Sequence, residues 1–112
     1  MNTRTETWAW LAQRASAAVL ALCVVVHLAT MIFAVRGGLS AAEILGRTRG
    51  SVAWAAFYGL FVIAVSIHAP LGLRTIASEW LAWRGHGADA ACAVIALALL
   101  ALGFLAVASV TL

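Results

Sequence analysis

The chain has 112 residues, 65% of them hydrophobic and 10% charged, with a mean hydropathy of +1.05 and a net charge of +3. A soluble domain of this size has no interior large enough to hide so much apolar surface, which excludes an ordinary water-soluble fold. All seven basic residues are arginines and none sits in a cluster interleaved with exposed aromatics, so the positive balance suits membrane flanks and argues against nucleic acid as a partner.

Residues 1–13 carry Arg4, Glu6, Trp8 and Trp10. A tryptophan pair just before an apolar run marks the headgroup level of a bilayer, and a short surface helix is expected there. The first span covers about residues 15–35, broken among polar side chains only by Ser16, His27 and Thr30. It is too long for the apolar region of a cleavable signal peptide, and two further spans follow. Arg14 stands at its mouth, where an arginine needs to snorkel or find a partner. Residues 36–51 hold four glycines and three arginines, with AAEIL as a short helical turn.

The second span is expected at about 52–78, with no charge from Val52 to Leu71. Pro70 lacks an N–H, so the carbonyl of Ser66 loses its helical partner and a bend is expected. Trp80, Trp83 and the RGHG turn mark the next interface, and the third span, about 89–112, is uncharged beyond Asp89 and rich in small residues. Runs of this length match a bilayer core of about 30 Å. The reading is an all-α, three-transmembrane-helix bundle with short loops, forming a single membrane domain, 1–112. Cys23 and Cys92 lie in spans without paired or metal-ligand spacing and are read as packing residues. Four arginines on the N-terminal side against three on the other favour a cytoplasmic N-terminus.

The chemistry concentrates in HAPLGLRTIASEW, His68 to Trp80. His68, Gly72, Thr75 and Glu79 share one helical face, which offers an imidazole deep in an apolar helix and a gap at Gly72 for a flat group. His27 is the first span's counterpart. Ser16 and His27 are eleven residues apart, as are His68 and Glu79, so on antiparallel spans the two histidines are expected at a common depth. A polar ring at mid-membrane is costly and generally functional. The cofactor that suits it is haem b, held through a neutral imidazole nitrogen. The plainer alternative is a histidine bonded to a neighbouring carbonyl or hydroxyl. Covalent haem attachment is excluded by the lack of CxxCH, and zinc is disfavoured because no cysteine or carboxylate joins the histidines. His86 is read as a solvated turn residue. Arg14, Arg74 and Glu79 read either as charges anchoring helix ends or as donors and acid around a quinone headgroup, with tryptophans as an apolar wall.

These residues resemble the membrane-anchor (cytochrome b) subunits of the succinate dehydrogenase and fumarate reductase family, the succinate:quinone oxidoreductases. The match lies in R-x-S at the first span, here Arg14-Ala15-Ser16, and in H-x-x-x-G with an acid and an aromatic eleven and twelve residues on, here His68, Gly72, Glu79 and Trp80. It covers roughly the first 85 residues. Two departures stand out: Glu79 replaces a frequent Asp, and Trp80 stands where one anchor type has Tyr. The resemblance implies an anchor in a bacterial inner membrane, not catalytic alone, that docks a flavoprotein subunit and an iron–sulfur subunit. It implies His68 as an axial ligand of haem b, with His27 as the second candidate ligand. It implies a quinone site lined by Arg14; Ser16, Glu79 and Trp80 stand at the other matched positions, with Ser16 open to a packing role, and the donor reading above adds Arg74. Family anchors usually work as two different subunits sharing one haem, so a second anchor or a second copy of this chain is an expected partner. Other readings are a stand-alone haem b electron carrier and a haem-free three-helix scaffold or transporter subunit.

Overall fold

The computed structural model describes residues 2–112 and consists of four helices: α1 (Thr3–Arg36), α2 (Ala41–Thr48), α3 (Val52–Leu81) and α4 (His86–Thr111). Three of them, α1, α3 and α4, are long and apolar enough to cross a membrane. The central helix is α3, which packs antiparallel against α1 on one side and α4 on another, while α2 rests against α4. Leu22, Phe33, Leu97 and Leu102 are each more than 60% exposed. Such side chains at the perimeter are stable only against lipid, and the protein is a multi-pass membrane protein.

The helices run further than the apolar runs alone indicate. α1 begins at Thr3, so residues 3–13 extend the first span without a separate surface helix. Asn2 caps it, its side-chain oxygen accepting from the Thr5 N–H at 2.9 Å. At 1.5 Å per residue the 34 residues of α1 reach about 51 Å, well beyond a bilayer core. Trp8 and Trp10 are exposed on the projecting part. At the other turn, α3 continues to Leu81 and α4 starts at His86. Arg84 makes this possible: its Nε donates to the Ser78 hydroxyl at 2.7 Å and its Nη2 to the Ser78 carbonyl at 3.2 Å, satisfying the end of α3. Ala82 adopts φ 53 to close that turn.

α2 carries a capping box, with the Glu43 N–H donating to Ser40 Oγ and the Ser40 N–H donating to the Glu43 carboxylate, both at 3.2 Å. Gly50, at φ 73, donates its N–H to the Thr111 carbonyl at 2.8 Å and ties this connection to the end of α4. α3 is helical through Pro70. The Pro70 carbonyl accepts from Cys92 Sγ at 3.4 Å, which joins α3 to α4. Further along the same seam, a β-carbon at Gly103 would lie 2.6 Å from Val62 Cγ1, so only glycine admits this approach of the two backbones.

Candidate functional site

The α1–α3 seam holds polar groups at membrane depth. On α1 the residues turned toward α3 include Gln13, Ser16, Cys23 and His27, a helical stripe with Ser16 and Cys23 fully buried. On α3 the seam contains Tyr58, Phe61, His68 and Gly72. Two contacts set the register. Gln13 Nε2 lies 3.3 Å from where a Gly72 β-carbon would be, and the His27 ring meets those of Tyr58 and Phe61 edge-on, each at 5.7 Å. Both contacts describe the same antiparallel pairing, which sets Ala17 to Leu20, not His27, level with His68.

This corrects the expected common depth. His68 lies seven residues beyond Phe61 and ten beyond Tyr58, which separates the two histidines by about 10–15 Å along the helices. His27 also has a partner of its own, since its Nδ1 is hydrogen-bonded to the Tyr58 hydroxyl at 3.2 Å. His68 differs: its Nδ1 is buried and has no hydrogen-bond partner. The gap at Gly72 is corrected as well, because the Gln13 amide occupies it. Gln13 Oε1 is itself buried without a partner. His68, half-buried with its Nδ1 enclosed, is thus the histidine without a protein partner, whereas His27 is committed to Tyr58 and Gly72 offers no open cradle.

The remaining site candidates gather toward one end of the molecule, around the start of α1 and the α3–α4 turn. Arg14 is exposed and stacks over the Trp10 ring at 5.5 Å from its centroid. Ser16 is buried and donates to the Gln13 carbonyl at 3.1 Å, within its own helix. Arg74 is held by Asp89 of α4, with Nε 2.7 Å from the carboxylate. That pair lines a polar cleft of about 440 Å³ with Glu6, Ser78, Arg84 and His86. Glu79 is exposed, and Trp80 is 81% exposed at the perimeter. Three partners went unremarked in the sequence: Gln13 at Gly72, Tyr58 at His27 and Asp89 at Arg74. Gln13 was detectable from its spacing of three residues to Ser16 on the inward stripe, and Tyr58 as the only tyrosine of the chain.

No curated protein and no solved structure matches the chain. A family model does, described as the succinate dehydrogenase/fumarate reductase transmembrane subunit, over residues 1–109. That match takes in the third span, which the motifs in the first 85 residues left uncovered. With three membrane-length helices and a match over nearly its whole length, the chain belongs to the family of succinate dehydrogenase/fumarate reductase transmembrane subunits.

Proposed function

We propose that this chain anchors a succinate dehydrogenase or fumarate reductase-type complex in the bacterial inner membrane, holds haem b through His68 and contributes to a quinone site. The observation that carries the haem reading is the buried Nδ1 of His68 without a partner. An unsatisfied polar atom at that depth costs about 1–3 kcal/mol; a hydrogen bond from Nδ1 would offset that cost and leave Nε2 as the nitrogen that would hold the iron. When bound, the haem supplies a one-electron store near the quinone. A second histidine, if one is needed, would come from a second anchor subunit or a second copy of this chain, because His27 lies at another depth and is engaged by Tyr58. His27 remains the alternative within the chain.

Quinone binding rests on the end of the molecule where Arg14, Ser16, Arg74, Glu79 and Trp80 lie. Arg14 is the donor with a free approach, since it is exposed and held only by the Trp10 ring. It orients a quinone carbonyl and stabilises negative charge as the headgroup takes up electrons. Arg74, tied to Asp89, acts from the side through its charge. Glu79 supplies a proton route from the surface, and Trp80 an apolar wall. The flavoprotein and iron–sulfur subunits dock on this same end, on the cytoplasmic side, where the N-terminus of α1 projects. A reduced-minus-oxidised spectrum of the purified complex tests the haem reading, and co-purification of a flavoprotein tests the anchor reading. A b-type spectrum with no flavoprotein would favour a stand-alone electron carrier, and neither would favour a haem-free scaffold.

A further inference from the structure

The opposite end of the molecule carries two apolar cavities of about 380 Å³ and about 620 Å³. Both are lined by His27, Ile44, Thr48 and Tyr58, so they are two arms of one groove around the His27–Tyr58 pair. α2 contributes Ile44, Arg47 and Thr48 to the wall of the larger arm. The polar side chains of the groove are nearly all occupied. His27 Nδ1 is paired with Tyr58, the Thr30 hydroxyl donates to the His27 carbonyl at 2.7 Å, and the Thr48 hydroxyl donates to the Leu45 carbonyl at 3.5 Å.

What remains for an occupant is mostly hydrocarbon, with the Trp54 indole N–H, the second His27 ring nitrogen and one cation. Arg47 is exposed at the edge of the larger arm, over the Phe33 ring at 5.8 Å from its centroid. Arg36 ends α1 and Arg49 follows α2, so this connection carries three arginines. Its one acid, Glu43, is engaged in the capping box with Ser40. An apolar groove with a positive edge at the membrane surface selects an amphiphile with an anionic head. We propose that this groove binds one anionic phospholipid, an acyl chain lying in the groove and the phosphate on Arg47, with Arg36 and Arg49 strengthening the attraction. The pairings above take up the groove's hydroxyls, and the long apolar arms suit an acyl chain.

The test uses the full chain in an uncharged detergent. Phosphatidylglycerol and phosphatidylcholine with identical acyl chains are titrated separately, with retained lipid read by native mass spectrometry and thermal midpoint read in parallel. The wild type is expected to hold phosphatidylglycerol at least about fivefold more tightly, the scale of one arginine at a lipid surface. Arg47→Gln is expected to remove that preference and Arg47→Lys to keep most of it. Ala29→Phe, which fills the groove wall, is expected to weaken both lipids alike. Arg4→Gln, at the far end of the molecule, is expected to leave the lipid preference unchanged. Equal binding of the two lipids, a preference that survives Arg47→Gln, an unaffected Ala29→Phe, or an equal loss in Arg4→Gln would each overturn the proposal. The haem reading is untouched by any of these outcomes.

Discussion

Two histidines of similar sequence setting have different surroundings, and the difference lies in single hydrogen bonds. His27 has the Tyr58 hydroxyl at 3.2 Å, whereas the buried Nδ1 of His68 has nothing. In an apolar helix a satisfied imidazole is a packing group and an unsatisfied one is poised for a ligand. Arg14 poses the same question among the charged residues, since a helix-flank arginine and a quinone donor look alike in sequence. Arg14→Ala is expected to lower quinone reduction about 10- to 100-fold, the worth of a hydrogen bond from a charged group, while haem content and dye-linked dehydrogenase activity stay near wild type. Parallel loss of haem would mark Arg14 as structural. The pairing of His27 with Tyr58 was not fixed by the sequence, although Tyr58 is the chain's only tyrosine, because the two lie thirty-one residues apart and only packing brings them together. The equal spacings from Ser16 to His27 and from His68 to Glu79 suggested a shared depth. The true register depends on Gln13 seating against Gly72, a contact between two helices that periodicity within one helix does not contain.

At the scale of elements, the three spans were legible because a membrane-length apolar run is a one-dimensional signal. Their ends were less so. Side-chain caps decide them, Asn2 at the start of α1 and Arg84 on Ser78 at the end of α3. The α3–α4 seam depends on the close approach at Gly103. Gly103→Ala is expected to force Val62 aside and destabilise the protein by about 1–3 kcal/mol, measured by thermal or denaturant unfolding in detergent. Val62→Ala in the same chain should recover part of the loss, and a neutral Gly103→Ala would contradict the seam. α2 offers a pH test. The Ser40 N–H and hydroxyl, with Arg47 adding its charge, hold the Glu43 carboxyl below its ordinary value of 4.5. A lowered folded value means that the ionised form supports the cap above the ordinary value and that this support is lost as pH falls through the folded value. Amide protection at the start of α2, measured against the intrinsic exchange rate at each pH, should therefore fall in that acid range while α3 and α4 remain protected.

For the whole molecule, the sided arrangement is the main consequence of the fold. One end gathers the start of α1, the α3–α4 turn and the residues assigned to quinone; the other carries α2, its arginines and the apolar groove. Reporter fusions after Gly46 and after Gly87 are expected to report opposite sides of the membrane, with Gly87 cytoplasmic. The same side for both would break the three-span arrangement.

The account as a whole depends on His68, and the b-type absorption spectrum of the assembled complex tests it most directly. His68→Ala is expected to abolish or strongly perturb that spectrum, whereas His27→Ala, which breaks only the bond to Tyr58, is expected to leave it largely unchanged. A normal low-spin spectrum in the His68 variant would contradict the haem assignment, and loss of the spectrum in the His27 variant would return the second ligand to this chain.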